Sequence, residues 1–101
     1  MRLRLHAGAT ADLEAAGDWY ESQRPGLAVE FADEVARALE TLAESPLLWP
    51  RWPASPDRLR VHRFVLSRFP FAIGYRVHPT EIVVLVVAHA KRRPLFWLSR
   101  G

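Results

Sequence analysis

The sequence predicts an α+β fold in which a short N-terminal strand and a helical hairpin accompany an antiparallel sheet with a C-terminal three-strand meander. Two early stretches carry apolar side chains at helical spacing and are separated by the turn signal Pro25-Gly26. Three later stretches, apolar or alternating, are typical of strands. With 101 residues there is room for one hydrophobic core, so residues 1–101 are predicted to form a single domain.

The first half of the chain supplies one strand and both helices. Residues 2–6 alternate between polar and apolar and predict a short strand. Thr10 is the predicted N-cap of the first helix, which we expect to end near Ser22. The second helix is predicted to begin near Leu27 and to end before Pro46, because a residue that precedes proline disfavours the helical region. The predicted buried stripe of this helix consists of Phe31, Val35, Ala38, Leu39 and Leu42.

The second half of the chain predicts a loop and three strands. Residues 46–57 contain four prolines, and we expect a loop anchored by its two tryptophans. The predicted strands cover about residues 58–66, 71–77 and 81–89. The last of them is apolar on both faces, as a central strand would be. The turn signal at residues 78–80 predicts that the last two strands form an antiparallel hairpin.

Composition excludes several kinds of site. The chain has no cysteine, so it has no disulfide and no thiolate metal site. Its N-terminus does not resemble a signal peptide, and its longest apolar run, residues 82–88, is too short to span a bilayer. We therefore expect a cytoplasmic protein that does not associate with membranes. The four histidines lack metal-ligand spacing and there is no glycine-rich phosphate loop, so no cofactor or metal is expected.

Charge is unevenly distributed along the chain, whose formal net charge is +3. Residues 12–44 hold nine of the eleven acidic side chains, whereas the residues from Arg51 onward are strongly basic. The basic side chains are most concentrated in residues 89–100, directly after the apolar strand. A basic half of this kind implies an acidic partner, either a nucleic acid or an acidic protein.

Three segments resemble one protein family. Asp18–Leu27 (with Phe31 after it), Arg68–Val77 and Val86–Arg100 are similar, in their order and spacing, to the RelE/ParE superfamily of toxins from type II toxin–antitoxin modules. The resemblance is closest to the subgroup often labelled plasmid stabilisation proteins. It implies the α+β fold described above and a cognate antitoxin that binds through an extended amphipathic segment.

The superfamily contains mRNA-cleaving members and gyrase-binding members. Individual residues of this chain can be compared with the basic and tyrosine positions of the mRNA-cleaving members. Arg92 matches the arginine that follows the last strand in the mRNA-cleaving members, and Arg63 falls near one of their basic positions. Ala72 stands where those members have an arginine, and Phe96 and Trp97 stand where they have a tyrosine. Because RNA cleavage without metal needs positioned proton donors and acceptors, these departures favour binding over cleavage.

Two residues near the C-terminus, His89 and Trp97, each allow two interpretations. His89 can act as an acid–base group, since histidine titrates near neutral pH, or can hydrogen-bond the backbone and orient the following loop. We prefer the second role, because no partner carboxylate or nucleophile is evident nearby. Trp97 can stack on a base, but packing against the fold is more typical of an aromatic residue near a chain end. Trp19 and Tyr20 are expected at the interface between the first helix and the sheet.

The leading hypothesis is a toxin that inhibits growth by binding an essential target, with DNA gyrase as the candidate, and that a cognate antitoxin neutralises. The first alternative is a ribosome-dependent mRNA endonuclease with Arg92, His89 and Arg63 as catalytic residues. The second is a non-toxic nucleic-acid-binding module. We expect Arg58, Arg60 and Arg63 to lie beside the C-terminal basic cluster. The residues predicted to bind the target or the antitoxin are Arg58, Arg60, Arg76, Lys91, Arg93 and Trp97.

Overall fold

The computed structural model describes residues 1–101 and confirms the α+β class and the order of the elements. The two helices lie between the first strand and the other three along the chain. The elements are β1 (Arg2–Leu5), α1 (Ala7–Gln23), α2 (Leu27–Glu44), a 3₁₀ turn (Asp57–Leu59), β2 (His62–Val65), β3 (Phe71–Val77) and β4 (Glu81–His89).

The four strands form one sheet in the order β1-β4-β3-β2. As predicted, β4 is central and forms an antiparallel pair with β3, in which Phe71 lies opposite His89. The sheet is mixed and not purely antiparallel, because β1 pairs with β4 in parallel. A parallel pair needs a long connection between its strands, and here the helices, β2 and β3 provide it. The alternation of residues 2–6 predicts a strand but does not indicate which strand it pairs with. The parallel pairing of β1 with β4 was therefore not predicted.

The first helix begins three residues before the predicted N-cap. His6 is the N-cap, and its Nδ1 accepts a hydrogen bond from the Gly8 amide at 2.9 Å. Histidine is not among the preferred capping residues, whereas threonine is, so the sequence pattern favours Thr10 instead. The earlier start places Asp12 in the second turn of α1, where it accepts a hydrogen bond from Arg100.

The strand predicted over residues 58–66 is shorter than expected. Its first part forms the 3₁₀ turn Asp57–Leu59, and Arg60 then adopts a left-handed conformation with φ of 51°. This backbone is incompatible with an extended strand, so β2 begins only at His62. The preceding loop is fixed to β2, because the Trp52 amide donates to the Val61 carbonyl at 2.7 Å.

The main core lies between the helices and one face of the sheet. Phe31 and Leu42 of α2 are buried there against Ile73 of β3 and Ile82 of β4. Tyr75 is also fully buried and donates a hydrogen bond to the Pro46 carbonyl at 2.6 Å. The predicted stripe of α2 is confirmed, with Leu39 partly buried at its margin.

The opposite face of the sheet, called here the outer face, is covered by loops instead of helices. Its buried side chains are Val61, Val83, Leu85, Val86, Ala88 and Trp97. The register between β3 and β4 shifts at Gly74, so Leu85 is the extra residue of a β-bulge and joins the same cluster as Val86. A Cβ atom at Gly74 would lie 2.7 Å from Val86 Cγ1 and 3.2 Å from the Trp52 ring. Glycine at this position therefore allows Trp52 to pack closely on the sheet.

Candidate binding groove

A groove of about 480 Å³ lies between α1 and the C-terminal half of β4. It exists because β1 is short: Leu5, its last residue, pairs with Val84, and no strand pairs with β4 beyond that point on this edge. The side chains of α1 form the facing wall. The lining is largely apolar and consists of Ala11, Asp12, Ala15, Ala16, Trp19, Tyr20, Phe71, Val87, His89 and Arg92.

Trp19 is the most exposed aromatic side chain of the groove. It is 59% exposed, whereas the neighbouring Tyr20 is buried and meets the Trp19 ring edge-on at 5.2 Å. The prediction that both residues lie at the helix–sheet interface is therefore confirmed for Tyr20 and wrong for Trp19. Adjacent residues of a helix point in different directions, so only one of the pair can face the sheet fully. An exposed tryptophan beside an apolar groove is typical of a residue that anchors a partner.

His89 and Arg92 lie together at the rim of the groove. The His89 Nδ1 accepts a hydrogen bond from the Lys91 amide at 3.0 Å, and its ring meets the Phe71 ring edge-on at 5.0 Å. The loop-orienting hydrogen bond expected for His89 is thus present. The Arg92 guanidinium lies 3.9 Å from the centre of the Phe96 ring, so a cation–π contact with Phe96 stabilises its position.

Asp12 and Arg100 close one end of the groove. Arg100 Nη1 donates to Asp12 Oδ2 at 2.7 Å, and Nη2 donates to Oδ1 at 3.2 Å. The same two side chains form hydrogen bonds with backbone groups of β4 that no strand pairs with. The Val87 amide donates to Asp12 at 2.9 Å, and Arg100 donates to the Leu85 carbonyl at 3.1 Å. They occupy the place that a longer β1 would take. No local sequence signal reveals this contact, because it joins residues 88 positions apart.

Arg63 does not line the groove that contains His89 and Arg92. It lies on the outer face, opposite Gly74, with its guanidinium 5.8 Å from the centre of the Trp52 ring. His89 lies against Phe71 on the helix side of the sheet. The predicted catalytic trio is therefore divided between the two faces of the sheet, and its catalytic role stays a prediction. The β2 periodicity did not reveal which face carries Arg63.

Arg58, Arg60 and Arg76 lie far from the C-terminal basic residues. Arg76 is opposite Val83, six residues before His89, which corresponds to about 20 Å along β4. Arg58 and Arg60 precede β2, at the same distant end of the sheet. The expectation of one continuous cluster is wrong, because β2 is antiparallel to β3 and carries its first residues away from the end of β4.

Trp97 is only 1% exposed and packs edge-on against Trp52 at a centroid distance of 5.0 Å. Its assignment to a binding surface is therefore corrected, and the packing role is confirmed.

Lys91, Arg92 and Arg93 are exposed and form none of the four salt bridges in the structure. These three residues, called here the C-terminal basic cluster, are the free cations nearest the groove.

No group of three or more histidine, aspartate or glutamate side chains is arranged to hold a metal ion. Neither helix combines the length and the apolarity needed to cross a membrane.

Comparison with known proteins agrees with the fold. The family model for the ParE toxin of the parDE type II toxin–antitoxin system matches residues 3–94. A solved structure of a chromosomal ParDE toxin–antitoxin system from P. aeruginosa superposes with a TM-score of 0.78 at 26% sequence identity, covering 90% of this chain and 97% of that one. No curated protein sequence matches the chain. The chain therefore belongs to the ParE toxin family of type II toxin–antitoxin systems.

Proposed function

We propose that this ParE-family toxin inhibits growth by binding DNA gyrase and not by cleaving RNA. The observation that carries the proposal is that Arg63 and His89 project from opposite faces of the sheet. Cleavage of RNA needs an acid, a base and cations around one phosphate, and side chains that project from opposite faces of the sheet, as those of Arg63 and His89 do, are poorly placed for this. Binding a protein target needs no such convergence.

The groove supports a partner of mixed apolar and acidic character. Trp19 offers an exposed aromatic surface above the small side chains of Ala11 and Ala15. Arg92 stands at the rim with no carboxylate beside it. An antitoxin segment that places an apolar anchor against Trp19 and a carboxylate near Arg92 would satisfy both ends of the site. The ParDE family makes a ParD antitoxin the expected partner.

One observation favours a second candidate function, ribosome-dependent mRNA cleavage. His89 and Arg92 line the same groove, and a histidine beside an arginine is a minimal pair for proton transfer and charge stabilisation. This candidate is weaker, because cleavage would have to proceed without Arg63.

Induction of the toxin in cells, with separate readouts, distinguishes the two candidates. We expect growth arrest, loss of negative supercoiling in a reporter plasmid and intact message, and we expect co-expressed antitoxin to restore both growth and supercoiling. Arg92→Ala, which removes the cation at the rim of the groove, should weaken this rescue by the antitoxin. Arg37→Ala, which removes an exposed cation of α2 that does not line the groove, is its matched control. Fragmented message that becomes intact in the His89→Ala variant would instead support the nuclease. Growth arrest with intact message and normal supercoiling would overturn gyrase as the target.

A further inference from the structure

Arginines from three separate elements meet on the outer face, away from the groove. Leu3 and Leu5 of β1 pack into the helix-side core, so Arg2 and Arg4 point to the outer face. Arg4 lies opposite Val83 of β4, and Val83 in turn lies opposite Arg76 of β3. Two arginines thus flank Val83 in one row across the sheet, about 10 Å apart.

The 3₁₀ turn adds two more arginines at the same end of the sheet. Arg58 and Arg60 are exposed there, directly before Val61, which is buried in the same cluster as Val83. Five residues therefore make up what we call the outer-face arginines: Arg2, Arg4, Arg58, Arg60 and Arg76.

Two carboxylates lie among the outer-face arginines. Glu81 accepts a hydrogen bond from Arg4 at 3.2 Å, and Asp57 belongs to the 3₁₀ turn. Five cations against two anions leave most of the positive charge without a counterion. This part of the outer face is consequently a positively charged surface, while the groove on the other side of the sheet is mainly apolar.

The shape of this surface restricts what it can bind. None of the four principal cavities is lined by an outer-face arginine, so these arginines do not border a principal cavity that could take the side chains of a peptide. Trp19 is the one large aromatic side chain that is strongly exposed, and it lies in the groove. The surface therefore lacks the aromatic platform on which single-stranded bases stack. Arginines that border no principal cavity suit contacts to the phosphates of a duplex, which need no base readout.

We propose that the outer-face arginines bind the phosphate backbone of double-stranded DNA without regard to sequence. This contact is separate from the antitoxin groove, which lies on the helix side of the sheet, and it does not depend on the identity of the toxin's target.

Fluorescence anisotropy with the purified toxin and a labelled 20-base-pair duplex tests the proposal, measured from 50 to 200 mM salt. Each phosphate contact contributes about −0.9 to the slope of log affinity against log salt. The variant with Arg2→Ala, Arg60→Ala and Arg76→Ala is expected to reduce the magnitude of the slope by about 2.7. The same three positions changed to lysine should keep most of the slope, because a phosphate contact needs only a positive charge, and this variant also controls for folding.

Two comparisons make the result decisive. Arg37→Ala removes one exposed arginine from α2 and should leave binding nearly unchanged. The variant with Lys91→Ala, Arg92→Ala and Arg93→Ala removes three charges at the other end of the sheet and should reduce the slope far less than the outer-face variant. The proposal is overturned if the duplex does not bind at 50 mM salt, if the C-terminal variant accounts for the binding, or if polyglutamate at matched charge competes as well as unlabelled duplex.

Discussion

Asp12 and Arg100 form a two-bond ion pair that substitutes for a missing length of strand. Together they take up the Val87 amide and the Leu85 carbonyl on the edge of β4 that β1 is too short to reach. Their side chains are only 10% and 19% exposed, so the pair is shielded from solvent. The C-terminal segment is thereby attached to α1, and the end of the groove is fixed.

Asp12→Ala should lower the free energy of unfolding by about 3 kcal/mol, because it removes one partner of a shielded ion pair and leaves the Val87 amide without an acceptor. Urea unfolding followed by circular dichroism measures the change. Arg4→Ala is the control, since the Arg4 side chain is 53% exposed in its ion pair with Glu81 and should contribute no more than about 1 kcal/mol. Equal effects of the two substitutions would contradict the role assigned to Asp12.

Gly74→Ala should destabilise the fold by about 1–3 kcal/mol, because the added methyl group collides with Val86 and crowds Trp52. The matched control is Gly17→Ala in the interior of α1, where nothing lies within 4 Å of the new Cβ atom. That change should stabilise the protein by up to about 1 kcal/mol, because alanine favours helix over glycine. Thermal unfolding of both variants checks the two signs, and the same sign for both would argue against the close packing of Trp52.

Trp19→Ala should weaken antitoxin binding at least about thirtyfold, as expected for an anchoring aromatic residue, while changing stability little because the side chain is largely exposed. Isothermal titration calorimetry with the cognate antitoxin gives the affinity. Val29→Ala on α2 is the control, because Val29 is 63% exposed and does not line the groove. An unchanged affinity for the Trp19 variant would place the antitoxin elsewhere.

Tyr75 should make the fold sensitive to alkali. Burial raises the pKa of its hydroxyl group from 10.0 to about 12. Since the folded-state pKa is above the unfolded value, the stabilisation is complete below pH 10 and is lost as the pH rises from 10 towards 12. The absorbance of ionised tyrosine should therefore rise together with unfolding in this range. Tyr75→Phe should show a smaller alkaline loss of stability, and ionisation of Tyr75 near pH 10 in the folded protein would contradict its burial.

Glu30 should contribute to the acid sensitivity of the fold. Hydrogen bonds from Arg68 and then Arg24 lower the pKa of its carboxyl group below 4.5. Because the folded-state pKa is depressed, the stabilisation is present above pH 4.5 and is lost as the pH falls below that value. Melting temperatures of the wild type and Glu30→Gln should converge as the pH falls from 5 to 3, and a constant difference over this range would argue against the network.

The sequence predicted what depends on local periodicity and failed where distant residues meet. The stripe of α2 and the β3–β4 hairpin followed from the spacing of residues such as Phe31 and Ile73. The contact between Asp12 and Arg100 and the opposite faces of Arg63 and His89 arise only from strand order, which no local pattern encodes. The strand order thus divides the surface into the groove and the separate outer face.

The most direct test of the proposed mode of action is a supercoiling assay with purified gyrase, relaxed plasmid and increasing amounts of the toxin. We predict that supercoiling is inhibited, that the antitoxin reverses the inhibition, and that His89→Ala still inhibits because no proton transfer is needed. Undiminished supercoiling at saturating toxin, together with fragmentation of ribosome-bound message by the same preparation, would contradict the account.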